Sequence, residues 1–163
     1  MNRMKLNINL EIGVPEGFHV MDENDARRRT ILAGGEGVVL EDPERHAVIS
    51  IGWKAVGRLA LKILSTKNIA GRSERSIRRA MKRYNYYYDG TAEPLIGGRK
   101  ADGFRYTYYA QGVKMAGESD VVKFEQTLYY FHLYTRDALK DENCVTWNEI
   151  LTSAEWISSS DAG

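Results

Sequence analysis

A single cysteine, Cys144, excludes any internal disulfide and any chemistry between paired thiols. The three histidines, at positions 19, 46 and 132, stand too far apart to show metal-ligand spacing. No apolar run approaches the roughly 18 residues of a membrane-spanning helix. Met1-Asn2-Arg3-Met4-Lys5 leads into alternating residues, whereas a secretory signal needs an apolar stretch of about 7–15 residues and a small-residue cleavage site. A cytoplasmic protein without membrane insertion is therefore expected, and the lone thiol suits a reducing compartment. Net charge is also missing: 23 Lys and Arg against 22 Asp and Glu leave +1. The chain as a whole thus has no electrostatic attraction for nucleic acid or an anionic membrane, although a local patch could still supply one.

What is present is a soluble globular mixture, 43% hydrophobic and 28% charged. The length of 163 residues suits one compact domain with a sizeable core. That domain is expected over residues 1–157, followed by a small, polar tail, 158–163, that frays. No internal repeat is visible.

Leu6, Ile8, Leu10 and Ile12 alternate with Asn7, Asn9 and Glu11, the period of a strand with one buried face. Pro15-Glu16-Gly17 turns the chain, and Phe18 to Met21 resumes extended. The charged segment Asp22 to Arg29 reads as a short helical turn or a loop. Gly37 to Glu41 and His46 to Trp53 read as a hairpin around Asp42-Pro43-Glu44-Arg45, with Ala47, Ile49, Ile51 and Trp53 on one face. Val56 to Leu64 predicts a short helix, interrupted at Asn68 to Gly71. Ser73 then suits the cap of a second helix, Glu74 to Tyr84. In it Ile77, Ala80, Met81 and Tyr84 share one side, and Arg72, Arg75, Arg78, Arg79, Lys82 and Arg83 the other. Phe104 to Ala110 predicts a strand from its aromatic content. Val121 to Thr135 predicts its hairpin partner, across Gly112 to Asp120. There Leu128, Tyr130 and Tyr134 point one way and Tyr129, Phe131 and Leu133 the other, so this strand is covered on both sides. Thr146-Trp147-Asn148-Glu149 has the form of a capping box opening a short last helix with Trp147, Ile150 and Leu151.

Hairpin-joined strands are antiparallel, and strands segregated from helices indicate α+β. The expected architecture is an antiparallel sheet sandwiched between helical layers. This order of elements, with the turn Val14-Pro15-Glu16-Gly17-Phe18 and the ending Ile150-Leu151-Thr152-Ser153, resembles the PsbP-like fold. That fold is shared by the extrinsic PsbP subunit of the oxygen-evolving photosystem, a Ran-binding nuclear import factor, bacterial lipoproteins and secretion-effector chaperones. The resemblance implies a binding or scaffolding domain, since its members mostly hold partners. With no lipoprotein or transit signal in this sequence, the photosynthetic and lipoprotein roles do not carry over.

The candidate sites are few. All ten tyrosines lie between Tyr84 and Tyr134. As an amphipathic ring suits half-buried positions and binding surfaces alike, Tyr86, Tyr88, Tyr106, Tyr108 and Tyr130 form a candidate partner-binding surface, with Tyr86 and Tyr88 the more exposed. The plainer reading has these rings filling the space between sheet and helices. Arg75, Arg78, Arg79, Lys82 and Arg83 form an alternative, anion- or nucleic-acid-binding stripe. A solvated helix face explains them more simply, because no nucleic-acid motif accompanies the stripe. Asp22, Glu23 and Asp25 neutralise Arg27-Arg28-Arg29. His132 reads as a satisfied sheet histidine, His19 and His46 as surface residues, and Cys144 as a structural thiol beside acids. Gly34-Gly35-Glu36-Gly37 and Gly97-Gly98 lack the features of a phosphate loop. The acids from Asp137 to Glu142 lack calcium-loop spacing and read as a solvated loop. No nucleophile–base pair, metal site or cofactor site emerges. The expected function is a non-catalytic protein-binding or scaffolding module, with another protein as partner, self-association open, and nucleic acid not favoured. A nucleic-acid-associated protein or a small-molecule enzyme with an unrecognised site are the alternatives.

Overall fold

The computed structural model describes residues 1–28 and 35–161. The elements run β1 (Asn2–Lys5), β2 (Leu10–Val14), β3 (His19–Val20), α1 (Glu23–Arg28), β4 (Glu36–Asp42), β5 (Ala47–Ala55), α2 (Arg58–Ile63) and α3 (Thr66–Ala80). Then come β6 (Tyr87–Ala92), β7 (Leu95–Ile96), β8 (Arg99–Lys100), β9 (Asp102–Ala110), β10 (Val113–Phe124), β11 (Thr127–Arg136), α4 (Lys140–Ser153) and β12 (Glu155–Trp156). Seven strands form one antiparallel sheet in the order β3-β4-β5-β11-β10-β9-β6, while β1-β2-β12 form a smaller sheet.

The packing follows from β11. Its Tyr129, Phe131 and Leu133 enter a cluster with Ile49 and Ile51 of β5, Leu10 and Ile12 of β2, and Trp147, Ile150 and Leu151 of α4. The alternate residues Leu128 and Tyr130 turn to the other side, against Ile69 and Ala70 of α3, with Leu61 and Leu64 from α2 and its end. Farther along that side, Ala26 of α1 packs on Met21 and on Val39 and Val48 of β4 and β5. The large sheet is therefore covered on both faces: by α4 and the small sheet on one, by α1, α2 and α3 on the other. The Asp42–Arg45 turn and its two strands form as expected, with Asp42 Oδ1 accepting from the Glu44 and Arg45 amides at 3.0 and 3.2 Å. The Pro15 turn closes with Phe18 N–H on the Pro15 carbonyl at 3.3 Å, and Gly17 takes the φ of +96° that such a turn asks of its third residue.

Four elements differ from the expectation. Leu6 to Ile12 is no single strand: the chain reverses between β1 and β2, with Leu6 N–H on the Leu10 carbonyl at 2.9 Å and Asn9 N–H on Asn7 Oδ1 at 2.9 Å. The asparagine side chain replaces a ladder bond and closes a turn, leaving Ile8 exposed. Asn68 to Gly71 does not interrupt a helix, because α3 starts at Thr66, capped by Ser65 Oγ accepting from Asn68 N–H at 3.3 Å. One glycine costs only about 1 kcal/mol, and burial of Ile69 and Ala70 outweighs it. In the expected apolar stripe of that helix, Ile77 and Met81 are half-buried but Ala80 and Tyr84 are exposed.

Val121 to Thr135 is two strands broken at Glu125-Gln126, where Glu125 adopts a left-handed φ of 51°, and the supposed connection Gly112 to Asp120 lies largely within β10. Gly117-Glu118-Ser119-Asp120 has poor strand propensity, which its place between two aromatic strands overrides. The last helix starts at Lys140, not Thr146, after a single 3-10 turn over Asp137–Leu139. The acids there thus open a helix, where its N-terminal dipole favours them, and do not form a loop. The charged segment after Asp22 takes the helical one of its two expected forms, with Asp22 Oδ1 accepting from Asn24 N–H at 2.9 Å. Its Arg29 and the neighbouring Gly34 lie outside the described residues. Past β12, Ser159 donates its amide and hydroxyl to Glu125 at 2.8 and 2.6 Å.

Trp147 is among the largest fully buried side chains and donates Nε1–H to Glu118 at 3.2 Å. Trp147→Ala is expected to lower unfolding free energy by roughly 3–5 kcal/mol, read from urea midpoints.

Candidate functional site

On the α3 side of the sheet, strand alternation brings Tyr106 and Tyr108 of β9 beside His132 and Tyr134 of β11. Gly117 of β10 lies between them, in register with both Tyr106 and Tyr134. A Cβ at Gly117 would collide with the Tyr106 ring, so glycine opens the slot that the ring fills. Tyr106, only 1% exposed, shares a 2.6 Å hydrogen bond with His132 Nε2. Its ring stacks on Tyr86 at 5.5 Å and Tyr108 at 5.8 Å, while His132 stacks on Tyr134 at 4.1 Å. Tyr86 O–H donates to Glu74 Oε1 at 3.1 Å, and the same oxygen takes Arg78 Nε at 2.9 Å.

Protonation states follow from this burial. Desolvation holds the Tyr106 hydroxyl well above its usual value, and burial with the nearby Glu74 charge does the same for Tyr86. Desolvation pushes His132 down to about 3. At neutral pH the group is a wall of uncharged rings, held by stacking and hydrogen bonds.

The wall ends at the sheet edge, β6. Tyr87 pairs with Thr107 and Tyr88 with Tyr106, so Tyr88 faces α3 and Tyr87 the opposite side. Tyr87 is 64% exposed, and Tyr109, two residues from Thr107 on β9, shares its face as a diagonal neighbour, 41% exposed. Tyr84, in the 3-10 turn that follows α3, is exposed as well. A bulge between Tyr88 and Thr91, with Gly90 at φ 110°, interrupts the free edge and limits its pairing with another strand.

Of the five tyrosines expected to meet a partner, Tyr88 alone is exposed. Tyr86, Tyr108 and Tyr130 are half-buried, and Tyr106 lies in the interior. Tyr130 belongs to the α3 cluster, away from the other four. Tyr84, Tyr87 and Tyr109 were missed. Period-2 alternation from Tyr88 would have placed Tyr87 on the other face, but the edge position of β6 was not visible.

The basic stripe is exposed along its length. Arg78 is tied to Glu74, and Arg79 Nε reaches the Arg75 carbonyl at 3.4 Å. Arg75 and Arg78 line a cleft of about 280 Å³ between α3 and the β6–β9 edge, floored by Tyr88 and Phe104. Lys82 and Arg83 lie beyond the end of α3, outside that cleft.

A second constellation, absent from the sequence reading, lies under α4. Glu118 and Asp120 are two residues apart on β10, so both point to the α4 face. Glu118 accepts from Arg105 Nε at 2.8 Å and from Trp147. Asp120 is 1% exposed, and neither of its oxygens has a donor. Burial first, then the Glu118 charge, raises its pKa to about 9, so it keeps its proton and can donate to Glu118. Gly103 opposite is required, since a Cβ there would collide with Asp120 Oδ1 and the Ser119 carbonyl. Cys144 borders the adjoining cleft of about 210 Å³ as a half-buried thiol, its pKa raised by burial and then by Glu118. Among the described residues no group of three or more His, Cys, Asp or Glu could hold a metal ion, and no helix is long and apolar enough to cross a membrane.

No family model and no curated protein matches the chain. Solved structures do. Cyanobacterial PsbP (CyanoP) from Synechocystis sp. PCC 6803 superposes with a TM-score of 0.71 at 15% identity, over 96% of this chain and 92% of that one. A protein from Bacteroides thetaiotaomicron VPI-5482 gives 0.60 at 9% identity, over 93% of this chain but 46% of its own. LpqN of Mycobacterium tuberculosis, involved in cell envelope biogenesis, gives 0.56 at 14%, over 91% and 83%. The chain has the PsbP-like fold, and at these identities the likeness is one of fold alone.

Two buried groups set opposite pH dependences. Asp120 has a folded pKa above its ordinary 3.8. Its contribution is therefore greatest below that value and declines as pH rises towards about 9. Asp120→Asn is expected to gain at least ~1 kcal/mol on wild type between pH 5 and pH 8, read from urea midpoints. His132 has a folded pKa depressed from 6.5 to about 3, so its contribution is present above 6.5 and fades as pH falls through that window. His132→Gln is expected to flatten this acid limb in thermal melts at pH 7 and pH 4.

Proposed function

We propose that the chain is a non-catalytic protein-binding module that engages its partner at the tyrosine-bearing β6 edge of the large sheet. The observation that carries this reading is the exposure of Tyr87, Tyr88 and Tyr109 around one edge strand, backed by the stacked rings of Tyr86, Tyr106 and Tyr108. A tyrosine offers large contact area and a polar tip at low entropic cost, which is why it recurs at interface centres. The buried rings behind hold the edge rigid, so an arriving partner has little left to order. Because the bulge at Gly90 interrupts the edge, recognition rests on side chains more than on added main-chain pairing.

The fold agrees with this reading: it is carried by PsbP and by LpqN, a protein of cell envelope biogenesis. We place the working compartment in a reducing cytoplasm on the strength of the single, unpaired Cys144.

The double substitution Tyr87→Ala/Tyr109→Ala tests the proposal. Both side chains are exposed, so thermal stability is expected to stay within about 0.5 kcal/mol of wild type. In quantitative capture from native lysate, at least one protein is expected to be recovered about tenfold less by the variant. Equal recovery of every captured protein would remove the reading. Recovery of only the chain itself would turn it into self-association.

A further inference from the structure

Between Arg58 and Tyr84 the sequence has nine Lys and Arg and a single acid, Glu74. All nine cations are exposed, whereas Glu74 is buried and already engaged by Arg78 and Tyr86. The chain's formal charge of +1 therefore conceals one strongly positive surface, balanced by acids elsewhere. The same stretch holds the two most exposed large apolar side chains among the described residues, Leu59 at 77% and Ile63 at 82%. They lie four residues apart on α2, one above the other on a single face. Arg58 and Lys62 flank them.

These features look the same way. Leu61 and Leu64, Ile69 and Ala70 pack into one cluster on one face of the sheet, so the outer sides of α2 and α3 both turn away from that face. On α3 Arg72 and Arg79 lie opposite Ala70 at roughly 100° per residue, and the exposed Arg75 stands between them and the cleft beside β6.

We propose that α2 and α3 form a peripheral docking face for an anionic lipid surface. Leu59 and Ile63 enter the headgroup–acyl boundary, and Arg58, Lys62, Arg72, Arg75 and Arg79 lie against lipid phosphates. Exposed apolar side chains surrounded by Lys and Arg are what an interfacial helix offers a bilayer. Nucleic acid or a purely anionic polymer would use the cations and leave Leu59 and Ile63 in water. A bilayer uses both, and its spread of charge matches cations spaced along two helices without a common focus.

Co-sedimentation of the full chain tests this, with vesicles of phosphatidylcholine alone and with added phosphatidylglycerol. Binding is expected to the anionic vesicles only, and to weaken as salt is raised. Arg72→Glu/Arg75→Glu/Arg79→Glu is expected to lower the partition coefficient at least about tenfold. Leu59→Ser/Ile63→Ser is expected to lower it at least about threefold at the same salt. Circular dichroism and thermal melts verify that these surface variants fold. Leu59→Lys, which adds charge while removing the apolar contact, separates the two contributions: it is expected to weaken binding. No binding to anionic vesicles at low salt overturns the proposal. So does unchanged binding by the Leu59/Ile63 variant, or tighter binding to duplex DNA or polyglutamate than to the vesicles. The Tyr87/Tyr109 variant lies on another surface, and its vesicle binding is expected to equal wild type.

Discussion

The structure depends on one strand being buried on both of its faces. Tyr129, Phe131 and Leu133 of β11 sit in one core cluster and Leu128 in the other. Covering each such side chain is worth about 1.5–3 kcal/mol relative to exposure, so neither face can be left to water. The chain therefore supplies α4 and the small β1-β2-β12 sheet for one side and α1 to α3 for the other. The neighbours of β11, β5 and β10, are connected to it antiparallel, which sets the register that keeps the two apolar sets apart.

Towards its β6 edge the sheet changes character. On the α3 side, from His132 and Tyr134 of β11 out to β9 and β6, aromatic rings replace aliphatic side chains and pack like them, with Tyr106 paired to His132 and Tyr86 to Glu74. Burial keeps Tyr106 protonated and His132 neutral, and this wall supports the exposed tyrosines at the edge. Glycine at 117 and 103 makes room on either face, for the Tyr106 ring and for Asp120. These two close approaches tie the aromatic wall and the buried acid pair to the same central strands.

Charge is distributed as unevenly as aromatic area. Cations gather on the outer sides of α2 and α3, while Glu118 and Asp120 lie under α4, one in contact with Arg105 and the other neutralised by its own proton. Ionic contacts are exposed or half-exposed for the most part, as for Arg3–Glu11 and Lys114–Asp137. Such pairs contribute little to stability. Cohesion rests on the apolar clusters, which leaves the charged surfaces free for recognition.

Local patterns alone determined the hairpin around Asp42–Arg45, the extended course of Phe104 to Ala110, the two-sided burial of Leu128 to Leu133 and the α+β class. Periodicity and turn chemistry act within a few residues, and a side chain's face follows from them directly. The first strand, the start of α3, the course of β10 and the start of α4 were decided by tertiary contacts. Asn7 captured an amide, Ile69 and Ala70 carried Gly71 into a helix, and flanking strands imposed extension on Gly117 to Asp120. Which tyrosines stay in water was likewise decided by strand order, because only the place of β6 at the sheet edge exposes Tyr87 and Tyr88. The pairing of Glu118 with Asp120 under Trp147 joins β10 to a helix that starts sixteen residues after that strand ends. No pattern confined to neighbouring residues carries information over that separation, so folding itself had to supply it.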